Sequence, residues 1–185
     1  MPPARDGAKM LAENLYKQGV EVAEKNKTLS LLNKLYEISV QALEPKEIAA
    51  GVSQTIQTDL AFELAGILLY DEPKEELKPL AFASSERVRK VQADHDLLFE
   101  NITIPLRSSS FLRTIIRNTE TGYTETLADI WDDLLPHEMA VQLQSGGHIK
   151  SSFAHPLVSR NKIIGVFIFS LNRAREQLLE YEIES

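Results

Sequence analysis

The sequence predicts an α+β fold, an antiparallel sheet flanked by helices, behind a long N-terminal helix of coiled-coil type. Three observations predict it. Residues 9–43 carry apolar residues at alternating spacings of four and three, the period of a coiled-coil seam. Two pairs of β-rich runs, Leu64–Asp71 with Leu77–Ser84 and Ser151–Val158 with Lys162–Leu171, are each separated by a short turn, as in hairpins. Between the long helix and the first hairpin, Ile48, Ala49, Val52, Ile56 and Leu60 form a helical stripe.

The long helix comes first. Leu15, Val22, Leu29, Tyr36 and Leu43 fall at heptad position a, and Leu11, Gln18, Lys25, Leu32 and Ser39 at d. Such a seam predicts a parallel homodimer through Leu11, Leu15, Val22, Leu29, Leu32, Tyr36 and Leu43. Gln18 and Lys25 weaken its early part and are suited to setting register. The competing reading is an amphipathic helix lying on its own domain. Beyond residue 30, Leu31, Leu35, Ile38 and Ala42 add a second apolar stripe, so the helix is expected to touch both a partner helix and its own body.

Glu44-Pro45 ends this helix, and proline suits the first turn of the next. Glu72-Pro73-Lys74-Glu75-Glu76 is a charged hairpin turn. Ile102–Leu106 reads as a short strand. Phe111, Leu112, Ile115 and Ile116 mark a short helix that Asn118–Gly122 ends, and Tyr123–Thr126 a brief strand. Leu127–Gln144 is mixed, with helical turns around Pro136, and Gly146-Gly147 reads as a flexible joint. In the last hairpin Ile163, Val166 and Ile168 are β-branched, and Phe167 and Phe169 aromatic. Arg175–Ser185 begins a charged helix carrying Leu178, Leu179 and Ile183. The expected organisation is a disordered 1–8, a dimerisation helix 9–43, a sensor domain 44–174 and the start of an output helix at 175–185.

Composition narrows the function. With 185 residues, the chain holds one domain plus an appendage. A net charge of −7 argues against non-specific nucleic-acid binding. The longest apolar run, Ile163–Leu171, is far short of the ~20 residues that span a bilayer, and the first residues lack a signal core; the expected location is cytoplasmic. The absence of cysteine excludes disulfides, thiolate metal sites and Cys nucleophiles. His137-Glu138-Met139-Ala140-Val141 starts like a zinc-protease motif, but Val141 stands where the second histidine belongs. Asp94-His95-Asp96 reads as a solvated loop in preference to a metal site.

Four segments carry a family resemblance. Ala65-Gly66-Ile67-Leu68-Leu69-Tyr70-Asp71, Leu127-Ala128-Asp129-Ile130-Trp131, Lys150-Ser151-Ser152-Phe153-Ala154-His155-Pro156-Leu157 and Asn161-Lys162-Ile163-Ile164-Gly165-Val166-Phe167 resemble, in this order, core segments of GAF domains. The resemblance covers about three quarters of the chain. It implies a GAF-like sensory domain of a signal-transduction protein, between a signalling helix and an output helix. It further implies a catalytic output, of histidine-kinase type, outside these residues, so that the chain is a fragment and no enzyme by itself. Without cysteine, neither a covalently held bilin nor the family's free methionine sulfoxide reductase activity is open to it.

The resemblance leaves the cofactor unknown, with haem through His155 the last-ranked choice. The candidate ligand pocket consists of Phe111, Ile115, Tyr123, Trp131, His148, Phe153 and His155, with core packing the bland reading of each. His155 shares a strand face with Phe153 and Leu157 and reads first as a hydrogen-bonded core histidine. Trp131 reads first as a plug or lid. Two functions compete: a ligand-responsive sensor, which requires a cavity between the sheet and 107–148, and a ligand-free dimerisation and relay module, in which side chains fill that space.

Overall fold

The computed structural model describes residues 4–41, 44–131 and 134–177. It divides into two units, residues 1–41 and 42–185.

The first unit is one helix, α1 (Ala4–Gln41). Its seam residues Leu15, Val22, Leu29, Leu32 and Tyr36 are exposed, from 55% at Leu32 to 70% at Tyr36. Met10, Tyr16, Val20 and Val40 are exposed as well, off the seam. Lys25 bonds back to Glu21 at 2.5 Å, one turn earlier, and this contact holds the Glu21 carboxyl below its usual value. Leu43 lies outside the described residues, as does the side chain of Leu11.

The second unit opens with α2 (Pro45–Asp59), where Pro45 occupies the first turn and the Glu47 carboxylate accepts from the Glu44 amide at 3.3 Å. Then come β1 (Leu64–Asp71), β2 (Glu76–Ser84), α3 (Glu86–Asp94), β3 (Ile104–Pro105), α4 (Ser110–Asn118), β4 (Gly122–Thr124), α5 (Leu127–Trp131), α6 (His137–Gly146), β5 (Ser151–Ser159) and β6 (Lys162–Leu171). The six strands form one sheet in the order β3-β2-β1-β6-β5-β4, antiparallel throughout. Both hairpins expected from the sequence are present. The second closes through Arg160 and Asn161, both at positive φ, 50° and 62°, the primed-turn geometry that suits strand twist.

Strand alternation sorts the sheet into two faces. Leu64 and Leu68 of β1, Val166 and Ile168 of β6 and Ala154 of β5 share one face by register and build the main core. Phe153 and His155 of β5 and Phe167 and Phe169 of β6 share the other, with Tyr123 of β4. There α2 covers β1 and β2, and Phe62, Phe153 and Leu171 form a smaller buried cluster.

Several elements differ from the sequence reading. The helix α3 is absent from it, although Ser85 caps it by accepting from Val88 N at 3.3 Å. With two residues, β3 is shorter than the expected 102–106, and β4 ends at Thr124. Gly146 and Gly147 are a packing site. A side chain on Gly147 would meet Val88 Cγ2 at 2.8 Å and Leu143 O at 2.7 Å, and one on Gly146 would meet Val91 Cγ2 at 2.5 Å. The helix expected over 175–185 is described only at its start, where Arg175–Gln177 make one 3-10 turn; the rest falls outside the described residues.

Candidate functional site

The ligand-responsive reading requires a cavity between the main-core face and the segments 107–148. Among the described residues, buried side chains pack into that space. Three short helices, α4, α5 and α6, bring them there, each for a local reason. Ser109 caps α4 by accepting from Leu112 N at 3.2 Å, while its own hydroxyl donates to Asp129 O at 3.2 Å; α4 thereby buries Leu112, Ile115 and Ile116. The amide side chain of Gln144 accepts from Leu127 N at 2.9 Å and donates to Glu125 O at 2.7 Å, tying the start of α5 to α6. Thr124 donates to the Asp129 carboxylate, fixing α5 to β4. The result is that α5 turns Leu127, Ile130 and Trp131 inward, all essentially fully buried.

Trp131 is the centre of this packing. Its indole stacks on Phe99, centroids 4.8 Å apart and planes 17° from parallel. Phe82 leans on both rings, 5.2 Å from Phe99 and 6.1 Å from Trp131. Phe82 itself lies over Gly66, where any side chain would collide with its ring. Trp131 Nε1 has no hydrogen-bond partner among the described residues; an unmet buried donor costs about 1–3 kcal/mol, less than the aromatic burial returns.

The seven candidate pocket residues do not line one cavity. Trp131 and Ile115 are buried on the main-core face, with Phe111 half-buried beside them. Tyr123, Phe153 and His155 point to the opposite face, because the β4–β5 and β5–β6 registers put them there. Phe153 stacks on Phe169 at 5.1 Å, and Tyr123 tilts against it at 5.0 Å. His155 does share a face with Phe153 and Leu157, but it is exposed and no core histidine; Nδ1 lies 2.6 Å from Thr121 Oγ1. His148 is exposed at positive φ, 55°, in the turn before β5. The reason for the dispersal is the two-residue period of a strand: neighbours in sequence look to opposite sides.

A different concavity exists. An open groove of about 360 Å³ runs between the end of β2 and α3, lined among others by Phe82, Arg89, Gln92, Asp96, Leu98 and Glu100. None of the seven candidates reaches it. Arg89 spans part of it to donate to Ser84 O at 2.8 Å. Sequence reading missed both this groove and Phe99, since α3 and the residues after it had no assigned structure. Among the described residues no cluster of three metal-ligating side chains exists, and no helix is long and apolar enough to cross a membrane.

No family model matches the sequence, and no curated protein resembles it significantly. Solved structures do. The GAF domain of A. aeolicus nlh2, in an inactive state, aligns at TM-score 0.63 and 11% identity over 86% of this chain and 88% of that one. A phycoerythrobilin-bound GAF domain from a cyanobacterial phytochrome aligns at 0.60 and 15%, over 86% and 89%. A free methionine-R-sulfoxide reductase from Neisseria meningitidis, in complex with its substrate, aligns at 0.55 and 15%, over 82% and 76%. At such identities the likeness shows the fold, which is GAF-like.

Proposed function

We propose that this chain is a regulatory module of a signalling protein, acting as a dimerisation and relay unit whose interior is occupied by its own side chains. The observation that carries this reading is the fully buried Trp131 stacked on Phe99 in the space a ligand would need. A dry, close-packed interior transmits displacement of one element to the next because it resists compression. The similar structures include residues 122 to 287 of a methyl-accepting chemotaxis protein and a GAF domain of a cyanobacterial phytochrome. The dimer forms in parallel through α1, with Leu15, Val22, Leu29, Leu32 and Tyr36 at its seam and Leu11 and Leu43 at its ends. The chain works in the cytoplasm and passes its signal to an output domain, of histidine-kinase type, through the segment that follows β6; it is no enzyme itself. Native mass spectrometry of freshly purified protein tests the proposal. A dimer mass with no adduct supports it. A monomer, or a stoichiometric small molecule, overturns it.

A second reading, a ligand-responsive sensor, rests on the groove of about 360 Å³ beside Phe82, within the size range of small-molecule sites, and on the bilin carried by a similar domain. In that case Phe111, Ile115 and Trp131 form a wall only after the aromatic cluster opens. A retained adduct in the same mass spectrum would select this reading.

A further inference from the structure

The chain leaves β6 at Asn172, and the turn it enters is held by side chains from separate elements. Ser151, at the start of β5 and fully buried, donates its hydroxyl to Arg173 O at 2.6 Å. Glu63, just before β1 and only 5% exposed, accepts from Asn172 Nδ2 at 3.1 Å. Gln177 then accepts from Ala174 N at 3.1 Å. A buried carboxylate is costly unless it is hydrogen-bonded or paired, so packing alone does not account for Glu63.

Its remaining contacts lie on α3. The oxygen that accepts from Asn172 is also 3.5 Å from Arg87 Nη1, in the first turn of that helix. The backbone repeats the link: Glu63 N donates to Ser170 O, and Glu63 O accepts from Ser85 N, the cap of α3, both at 2.8 Å. One residue therefore grips the start of α3 and the end of β6 through main chain and side chain alike.

We propose that Glu63 is the coupling residue of the relay: a shift of α3 across the main-core face changes the hold of Glu63 on Asn172, and with it the direction in which the chain leaves β6. The inference rests on the relay reading above. Its physical basis is that one carboxylate oxygen serves two partners. With Arg87 in place the oxygen is fixed and its charge offset. With Arg87 withdrawn the side chain gains rotamer freedom and the Asn172 bond weakens, as expected in a polarised hydrogen-bond network. The exit turn is then an element with two arrangements, held or released, which is what a coupling claim requires. Val88 of α3, fully buried against Gly147, makes that helix respond to changes in the core beneath it.

Amide hydrogen exchange on the full chain tests this. Arg87 and Asn172 are exposed, so Arg87→Ala leaves the fold intact, which the exchange of β1 and β6 amides checks in the same experiment. Arg87→Ala should accelerate exchange at residues 172–177 roughly two- to fivefold, the scale of one partly exposed ion pair. Arg87→Lys should recover part of the protection. Glu63→Gln should accelerate the same amides, and Arg87→Ala should add nothing on that background. Unchanged exchange at 172–177 in Arg87→Ala, or the same added effect with and without Glu63→Gln, overturns the coupling. Neither result depends on α1 pairing, so a monomer in the mass spectrum sinks the dimer and leaves this test standing.

Discussion

The Trp131 indole lies flat on Phe99, centroids 4.8 Å apart, and the two rings join α5 to the 3-10 turn Phe99–Asn101 across the centre of the core. Neither ring is accessible to solvent. Both rings occupy space that a ligand under the helices would need.

Replacing either ring should be severe. Trp131→Ala or Phe99→Ala is expected to cost about 3–5 kcal/mol, through lost burial and the cavity left behind. Urea denaturation measures it. A cost under about 1 kcal/mol would mean that the site collapses or hydrates freely, and the packed-interior argument would fail. As the single tryptophan of the chain, Trp131 also reports its own environment, and its emission should be blue-shifted in the folded protein.

The exposed seam of α1 predicts a dimer that a pair of charges destroys. Leu29→Asp with Leu32→Asp places carboxylates at adjacent a and d positions. Light scattering should find a monomer, while far-ultraviolet circular dichroism retains the sheet signal. If the doubly substituted chain keeps the dimer mass, the interface lies elsewhere.

Gly165 stands in β6, a central strand, and is buried. A side chain there would collide with the carbonyl oxygen of Leu68 and come within 3.3 Å of Leu69 Cα. Backbone cannot rotate away as a side chain can, so Gly165→Val should destabilise the fold by about 1–3 kcal/mol through overpacking. An unchanged melting temperature would contradict this geometry.

At the β1–β2 turn, Lys78 bonds to Asp71 at 2.7 Å and lies 3.0 Å from Glu76. The hydrogen bond from Lys78 holds the Asp71 carboxyl below its usual value, and the two carboxylates raise the Lys78 ammonium above its own. A depressed acid stabilises the fold above its unfolded pKa and loses that contribution as pH falls through the folded value. A raised base stabilises below its unfolded pKa and loses it as pH rises through the folded one. The hairpin end should therefore loosen below about pH 4 and again above about pH 10.4. Lys78→Met should flatten both limbs of a stability–pH curve; limbs unchanged from wild type would show that the cluster contributes nothing.

Much of the fold was legible because it is written in local periods. The 4–3 spacing predicts a long helix over 9–43; α1 is a long helix, but it starts at Ala4, inside the stretch 1–8 expected to be disordered, and is described to Gln41. β-branched and aromatic residues mark β6, and Arg160-Asn161 supplies the two positive-φ residues its turn with β5 needs. What escaped was short or chemically quiet. The helix α3 has nine residues of mostly charged character, and only Ser85 with Val88 and Val91 marks it. Gly146-Gly147 carries the composition of a joint, yet the approach of α3 makes it a packing site.

The candidate site shows where the boundary lies. From residue order alone, Phe153 and His155 fall on one strand, alternation groups them on one face, and cysteine chemistry is excluded, while Trp131 lies in a segment of mixed pattern. Which face each strand turns inward follows from register: Phe153 pairs with Phe169 and Ala154 with Ile168, so one residue of shift would have exchanged the two faces of β5. Register depends on contacts between strands far apart in sequence. That is why Trp131 ends in the main core with Phe99, while Phe153 and His155 end on the opposite side of the sheet.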